Sequence, residues 1–543
     1  MLPNICGFYN YFYFIISIIT LKLQILIEKG NLFDILYVLC YSSSRKKGEK
    51  MEQTIANSTE NLGAELEVRK AKIMELKASG NPVYQEKFER THTIEEARKL
   101  EPSSIVSIAG RIVFKRVMGK LSFLAIQDVS AKIQISIGRN EISEDDFNFY
   151  KKMVDVGDFI GITGELYLTH TGELTVRTHK YQLLSKAMRP LPEKFHGLTD
   201  IEAKYRQRYL DLIMNEDSRK VLLGRSKVIS FIRRFLEKNG FIEVETPILQ
   251  SACCGASAKP FFTKHNALNK MCNLRIAPEV YLKQVIAAGY DRVFEVAKCF
   301  RNEGMDTQHL QEFTMVEWYA SYWNYEDNIK FYTSFIQNLL TEVLGTTKVE
   351  FQGKTLDFGG ELPRIDYTET LKKELGFDFL VYDKKDDLVA KVESTGLFKS
   401  SDFTGIKTVG GVIDLMYKKL IREKIEQPTV LYNYPACLVP LARRKDGNSK
   451  LIEMFQVLAD GIEMCKAYSE LVDPIIQRQT LEEQAAAKSQ GDDEAMEFDT
   501  DFVLAMEHGM PPISGLGFGI DRLVTIMFNQ PSIRDVVLFP LMK

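Results

Sequence analysis

The chain has few of the residues that mark specialised classes of protein. Eight cysteines among 543 residues are too few for a disulfide framework, and none lies in a CxxC repeat or in a Cys/His cluster with zinc spacing. The formal net charge is only −3, which excludes a generally basic surface for nucleic acid. We therefore expect a cytoplasmic globular protein with reduced thiols, in which any contact with RNA comes from a local patch.

A long hydrophobic run is also missing. Residues 9–27 are apolar and aromatic, but Lys22 and Gln24 interrupt them, and a membrane-spanning helix needs about 20 mainly apolar residues. The segment has neither the basic start nor the small-residue cleavage site of a signal peptide. An ordinary polar sequence starts at Met51. We therefore expect the native start at Met51, with residues 1–50 either outside the native chain or a disordered tail, and a membrane anchor as the alternative.

Residues 103–184 contain five short β-rich stretches separated by turn signals, and a helical stretch, Ser143–Met153, follows the third. This order predicts an OB-fold, whose open face binds single-stranded nucleic acid. Phe123 and Gln134 lie on neighbouring predicted strands, with Lys115, Arg116 and Lys120 nearby. From the residues alone, Phe123 is more readily a core side chain than a platform for a base.

The stretch Asp291–Tyr319 predicts two strands joined by a charged loop. Side chains two residues apart on a strand share a face, so polar and aromatic groups converge on one surface of this hairpin. Such a surface suits a ligand with an anion, a flat ring and a cation, although a surface ion-pair ladder is the alternative. The converging residues are Arg301, Glu303, His309, Phe313, Glu317 and Tyr319.

Three blocks in this order resemble the motifs of the class II lysyl-tRNA synthetases. Gly240–Pro247 (GFIEVETP) resembles motif 1, Phe300–Glu317 resembles motif 2, and Gly515–Arg522 (GLGFGIDR) resembles motif 3. The resemblance implies an α+β fold, with an N-terminal five-stranded OB-fold barrel and a catalytic domain built on an antiparallel sheet flanked by helices. It also implies that ATP activates lysine to lysyl-adenylate and that the lysyl group passes to the 3′ end of tRNA(Lys), with Mg²⁺ assisting.

The resemblance also implies domain boundaries and partners. We expect a homodimer without a membrane, because the family uses the motif 1 helix and strand as its dimer interface. The expected domains are a helical extension at 51–100, an anticodon-binding OB-fold at 101–187, a linker at 188–215, and a catalytic domain at 216–543 with a helical insertion at about 325–430.

Residue by residue, the family's functional positions carry over to this chain. Arg301 and Arg522 are the expected catalytic residues, because cations must neutralise the repulsion between the lysine carboxylate and the phosphates. The expected ATP ligands are Arg301, Glu303, His309, Phe313, Glu463, Gly519 and Arg522. The expected lysine ligands are Gly255, Glu279, Glu317, Tyr319, Lys466, Tyr468 and Glu470. The expected anticodon ligands are Lys115, Phe123, Gln134 and Glu173, and the expected metal ligands are Glu463 and Gln456.

Five positions depart from the family pattern, namely Lys259, Leu310, Gln456, Lys466 and Val472, and two of them are expected ligands. Gln456 stands where the pattern has a metal-binding glutamate, and Lys466 replaces an asparagine of the substrate site. In addition, strand alternation puts Glu463 on the face opposite Lys466, so either a bend in this strand or a ligand that spans both faces is needed to unite them.

Two other functions compete with the lysine enzyme. The aspartyl- and asparaginyl-tRNA synthetases share its architecture, but Glu317 and Glu470 oppose an anionic substrate. A catalytically silent OB-fold RNA-binding paralogue is the second alternative, and Arg301 and Arg522 oppose it.

Overall fold

The computed structural model describes residues 63–192, 201–256, 258–489 and 495–542. The chain divides into two compact units between Phe195 and His196. The expectations for residues 1–50 and for a start at Met51 lie outside the described residues. Across the described ranges, no helix is long and apolar enough to cross a bilayer.

The first unit is a closed barrel with strand order β1-β2-β3-β5-β4. Isoleucines alternate into the interior, as at Ile133, Ile135 and Ile137 of β3, because side chains two apart share a face. The helix Glu144–Met153, capped by Ser143, lies between β3 and β4, which confirms the predicted OB-fold order. The strands are β1 (Ile105–Met118), β2 (Leu121–Gln127), β3 (Lys132–Gly138), β4 (Phe159–Leu168) and β5 (Leu174–Ser185).

The segment before the barrel packs against it. Residues 63–78 are helical, and a short helix follows at Ile94–Ala97. Ile73, Leu76 and Ile94 belong to the barrel's own hydrophobic core. The described part of the expected 51–100 extension is therefore integral to the first unit.

The second unit is built on a nine-stranded sheet with the order β14-β15-β17-β18-β19-β11-β10-β6, and β16 pairs with β17. Its strands, with those of two small sheets, are β6 (Ile242–Glu243), β7 (Leu249–Gln250), β8 (Phe261–His265), β9 (Lys270–Leu274), β10 (Arg292–Phe300), β11 (Glu312–Ser321), β12 (Lys348–Phe351), β13 (Lys354–Asp357), β14 (Arg364–Asp366), β15 (Thr429–Pro435), β16 (Arg444–Lys445), β17 (Asn448–Ala459), β18 (Ile462–Ser469) and β19 (Ile513–Gly519).

Helices bury one face of this sheet in a main core rich in aromatic rings, such as Trp318, Phe335 and Phe518. A second core forms where helices pack around Tyr367 and Met416. The helices of the second unit are Ile201–Arg206, Arg208–Met214, Glu216–Lys238, Glu279–Ala287, Tyr325–Leu344, Tyr367–Leu375, Lys385–Glu393, Val409–Leu420, Pro474–Ser489, Thr500–Glu507 and Ile520–Met527.

Parts of two expected segments belong to the second unit. Residues 201–206 and 208–214, in the segment predicted as a linker, are helical, and buried Arg208 donates to Asp211 Oδ2 at 2.7 Å and to the carbonyl of Asp535 at 2.6 Å. In the segment predicted as an insertion, helix Tyr325–Leu344 packs in the main core and β14 extends the main sheet.

Gly224 provides a test of how helix Glu216–Lys238 packs. A Cβ at this position would lie 2.1 Å from Cζ of Phe528, so the ring would have to move. In an open helix, Gly→Ala stabilises by up to about 1 kcal/mol. We expect Gly224→Ala to destabilise instead, by roughly 1–3 kcal/mol, measured by thermal and denaturant unfolding. Ser230→Ala, at an exposed position of the same helix, is the control and should be neutral or slightly stabilising; a stabilised Gly224→Ala protein would contradict the packing.

Candidate active site

The hairpin predicted from the sequence is present. Strands β10 and β11 pair antiparallel, with Cys299 opposite Phe313 and Glu295 opposite Glu317. Strand β19 continues the sheet beside β11, and β18 and β17 follow it. Strands β11, β17, β18 and β19 line a cavity of about 830 Å³. Every residue that the sequence predicts for ATP, lysine or metal lines this cavity.

One end of the cavity is a buried cluster of acids around a lysine. Lys283 Nζ lies 2.6 Å from Glu279 Oε1 and 2.5 Å from Glu470 Oε2. Tyr468 donates its hydroxyl hydrogen to the same Glu279 oxygen at 2.6 Å. Burial opposes the charge on Lys283, but the two carboxylates outweigh it and raise the pKa of the ammonium. The sequence motifs pointed to Glu279, Tyr468 and Glu470, whereas Lys283 was missed, although it follows Glu279 by one helical turn.

Glu317 adds a third carboxylate to this end. It is buried and accepts a hydrogen bond from the Tyr319 hydroxyl at 2.9 Å. Burial, followed by repulsion from Glu279, raises the pKa of Glu317 to about 8. Burial also raises the pKa of Glu470 to about 8, because repulsion from Glu279 and Glu317 adds to it and Lys283 offsets only part. Oxygen Oε1 of Glu470 has no hydrogen-bond partner among the described residues. This end is therefore short of positive charge.

Glycines open the floor of the cavity. Gly515 lies between Tyr319 and Tyr468 in the sheet register, and Gly517 lies between Glu317 and Lys466. A Cβ on Gly515 would lie 2.2 Å from the Tyr319 ring and 2.7 Å from Glu470 Oε1. The two glycines thus form a trough along β19 between the side chains of β11 and β18.

Gly255 lies in the chain segment before β8 and lines the cavity next to Glu279. Its φ is +95°, a backbone conformation that side chains disfavour, and a Cβ there would lie 3.2 Å from the Cβ of Glu279. Glycine at this position therefore lets the backbone pass close to the acid cluster.

Arg301 and Phe313 form the opposite end of the cavity. The guanidinium carbon of Arg301 lies 5.1 Å from the centroid of the Phe313 ring, a cation–π arrangement. Nε of Arg301 is buried and has no hydrogen-bond partner within the described ranges. A stacked cation with an unused donor suits an anion beside a flat ring. Strand β10 ends at Phe300, so Arg301 is the first residue of the loop.

Glu463 and Arg522 complete this end. Strand β18 has a bulge, since Val457 faces Cys465 while Leu458 faces Glu463. The extra residue inverts the alternation, so of the two alternatives for uniting Glu463 and Lys466 the bend is present. Arg522 Nη1 lies 3.6 Å from Glu463 Oε1 in the first turn of a helix that Gly519 caps.

The loop between β10 and β11 carries the other two predicted ATP ligands. Nδ1 of His309 lies 2.8 Å from Oδ2 of Asp306, which holds the imidazole at the mouth of the cavity. Glu303 is exposed, and its backbone carbonyl accepts from Nε2 of Gln311 at 3.2 Å.

The predicted metal pair, Gln456 and Glu463, does not fit a metal ion held between its side chains. A carboxylate only accepts hydrogen bonds, so the Gln456 NH₂ group must face Glu463, to which it donates. The amide oxygen accepts from the Tyr434 hydroxyl at 2.6 Å. Within the described ranges, no three His, Cys, Asp or Glu side chains are grouped to hold a metal.

One wall of the cavity was not predicted from the sequence, because its segment carries no recognisable motif. This wall is formed by residues at the start and along one side of helix Val409–Leu420. These residues are Thr408, Val409, Gly410, Gly411, Asp414, Tyr417 and Lys418.

In the first unit, three of the four predicted anticodon residues lie on or beside neighbouring outer positions of the barrel. Phe123 is half-buried on β2, while Ile126 and Leu124 face the core. Gln134 Nε2 donates to Thr175 Oγ1 at 3.0 Å, and exposed Glu173 comes just before β5.

Lys115, the fourth predicted anticodon residue, does not lie on the outer surface of the barrel beside Phe123 and Gln134. Its ammonium donates to the carbonyls of Tyr150, Lys151 and Val154 at the end of helix Glu144–Met153, and burial lowers its pKa to about 8. The cause is a bulge between Ile112 and Phe114 that shifts the register of β1. The exposed neighbours of Phe123 on β1 are instead Phe114 and Arg116, since Arg116 is its direct cross-strand partner.

Comparison with known proteins agrees with this architecture. Residues 200–543 match the family described as tRNA synthetases class II (D, K and N), and residues 106–184 match the OB-fold nucleic acid binding domain.

Relatives cover nearly the whole chain. A lysine–tRNA ligase of Pelotomaculum thermopropionicum is 41% identical over 92% of this chain and 99% of its own length. A lysine–tRNA ligase of Staphylococcus haemolyticus is 40% identical over 89% and 99%, and one of Aquifex aeolicus is 44% identical over 84% and 76%. The chain therefore belongs to the lysine–tRNA ligase family of the class II tRNA synthetases.

Proposed function

We propose that the protein is a lysine–tRNA ligase that activates lysine with ATP and transfers the lysyl group to the 3′ end of tRNA(Lys). The observation that carries the assignment of lysine is the charge balance of the acid end. Three carboxylates, Glu279, Glu317 and Glu470, face one resident ammonium, Lys283, so two negative charges are uncompensated when all are ionised. The two ammonium groups of a lysine substrate balance them, whereas aspartate would add repulsion.

The α-ammonium would pair with Glu279 beside Gly255, and the ε-ammonium with Glu317 and Glu470. Tyr319 and Tyr468 would form the walls of the pocket, since both rings flank the trough at Gly515. Charge-assisted hydrogen bonds of this kind are stronger than neutral ones, so the pocket selects for the ammonium and not for chain length alone.

The cationic end would bind ATP. Phe313 would stack on the adenine, and Glu303 and His309 would contact the nucleotide from the loop. Arg522 and the backbone at Gly519 would hold the terminal phosphates. Magnesium would arrive with ATP as part of the substrate, since the pair Gln456 and Glu463 does not fit a metal ion.

In the first step, a carboxylate oxygen of lysine attacks the α-phosphorus of ATP and pyrophosphate leaves. Arg301 would touch both anions, reducing their repulsion and stabilising the charge of the transition state. The attacking carboxylate is already ionised, so no general base is needed and positioning supplies much of the rate. In the second step, a hydroxyl at the 3′ end of tRNA takes the lysyl group and AMP leaves.

The first unit would read the anticodon through Phe123, Gln134 and Glu173. Exposed aromatic and basic side chains, Phe114 and Arg116, adjoin Phe123 and fit stacking on bases and pairing with phosphates. A homodimer is also part of the proposal. Exposed apolar side chains on β6, β8 and β9 support it. They are Ile242, Phe262 and Met271.

Replacing Arg301 tests the catalytic cation. We expect Arg301→Ala to lower lysine-dependent ATP–pyrophosphate exchange by roughly 3–4 kcal/mol of transition-state stabilisation, because the shared charge between carboxylate and phosphate is lost. Arg478→Ala removes a surface arginine of the same unit that does not line the cavity, and it should leave exchange unchanged. Normal exchange in Arg301→Ala would contradict the role.

The pH dependence tests the acid end. With pKa values of about 8, Glu317 and Glu470 hold protons at pH 7 in the empty pocket, and a bound ammonium favours their ionised forms. We expect lysine binding to release protons at pH 7 and lysine affinity to rise between pH 6.5 and 8.5, both measured by calorimetry in buffers of different ionisation enthalpy.

Glu317→Gln and Glu470→Gln should each weaken lysine binding by roughly 2–5 kcal/mol and flatten this pH profile, with ATP binding nearly intact. Glu312→Gln, at an exposed position of the same strand, is the control. A pH profile that is identical in all three variants would show that the acids do not bind the substrate ammonium.

Replacing Phe123 tests the RNA-binding face. Phe123→Ala should weaken tRNA charging by roughly 1–3 kcal/mol through the lost stacking, while adenylate formation stays intact. Phe159→Ala, which removes another accessible ring of the barrel, should leave charging unchanged. Joint loss of charging and exchange in Phe123→Ala would indicate a core role for this ring.

A further inference from the structure

Lys466 is a cation without a counter-ion in the described part of the chain. It lies on β18, is half-buried and lines the cavity, and no acid lies within 4 Å of its ammonium in the described ranges. The nearest acid along the strand, Glu463, is already engaged by Gln456 and Arg522. A charge that is partly removed from water and unpaired lowers stability, so an anion supplied by a ligand would complete this position.

The sheet register locates Lys466 between the two ends of the cavity. Gly517 lies beside it on β19 and leaves the trough open, and Gln456 lies beside it on β17. Glu470 follows the last residue of β18 and is four residues away, roughly 13 Å at the rise of a strand. Glu463 is three residues away in the other direction, beside Arg522. Lys466 therefore stands where an amino acid held by the acids would meet the phosphates of a nucleotide held by the arginines.

Gln456, Lys466 and Gly517 lie side by side on β17, β18 and β19. The contacts of Gln456 explain why a lysine side chain, and not a metal ion, supplies the positive charge there. Its NH₂ group is turned toward Glu463 and its oxygen toward the Tyr434 hydroxyl, so the pair presents hydrogen-bond donors and one carboxylate, not two oxygens for a divalent cation. A protein-held metal at this row would lack ligands and would be repelled by the neighbouring ammonium.

We propose that Lys466 is a fixed cation that binds the junction between the lysine carboxylate and the ATP phosphates, in place of a divalent ion held by the protein, and that Gln456 keeps this position free of metal. The inference rests on the proposed function and refines its anion-binding end. Unlike a bound metal, this charge is part of the chain and is present before the substrates arrive.

Binding measurements without turnover test it. Calorimetry with α,β-methylene-ATP, first in EDTA and then with Mg²⁺, gives the nucleotide affinity of the intact protein. We expect the parent protein to bind the analogue in EDTA, Lys466→Met to weaken that binding at least tenfold, and Lys466→Arg to restore most of it. Lys330→Met, an exposed lysine of the same unit, is the matched control and should bind as the parent does. Equal affinity of Lys466→Met and the parent would overturn the proposal.

The metal count gives an independent readout. Titration with Mn²⁺, followed by electron paramagnetic resonance, should show no tight ion on the parent protein alone and one ion per site with the analogue. Gln456→Glu should add a tightly bound ion, because a second carboxylate would then face Glu463. A tight ion on the parent protein without nucleotide, or more than one ion per site with it, would overturn the proposal.

These outcomes separate the inference from the broader function. Absence of lysine-dependent pyrophosphate exchange in the parent protein would contradict the ligase activity, whereas the analogue and Mn²⁺ measurements do not depend on lysine. Thermal unfolding of Lys466→Met and recovery in Lys466→Arg distinguish a lost cation from a misfolded site.

Discussion

The ammonium of Lys283, held between Glu279 and Glu470, is the interaction on which the site depends. It joins helix Glu279–Ala287 to the end of β18, two elements that are far apart in the sequence. Removing one partner of such a buried pair is strongly destabilising, by roughly 3–5 kcal/mol, because it leaves the other charges buried and uncompensated. The same cluster holds three carboxyl groups and one ammonium, so one arrangement both positions the helix and prepares the pocket for a cation.

Two glycines make this arrangement usable. Side chains of the central strand normally fill a pocket that is lined by strands. Gly515 and Gly517 have no side chains, so the space above β19 stays open between Tyr319 and Glu317 of β11 and Lys466 of β18. The specificity of the pocket therefore comes from the outer strands, and the space for the ligand comes from the middle one.

Strand alternation was enough to predict much of the site. It placed Phe313, Glu317 and Tyr319 on one face. The parity conflict between Glu463 and Lys466 left either a bend or a ligand spanning both faces, and the bulge in β18 supplies the bend. Lys283 could not be found in this way, because its partner Glu470 is brought near only by packing of a helix on the sheet. Lys115 was misplaced because a bulge in β1 reverses the alternation and nothing in the local sequence marks it.

The cavity is lined by side chains from both cores of the second unit, Leu516 and Phe518 from the main core and Tyr417 and Tyr434 from the second. Regions of a protein can open locally without global unfolding, and a ligand that touches two regions raises the free energy of separating them. Bound substrates thus stabilise the packing of the two cores against each other. Amide hydrogens in helix Tyr367–Leu375, of which no residue lines the cavity, should exchange with solvent more slowly once the cavity is filled.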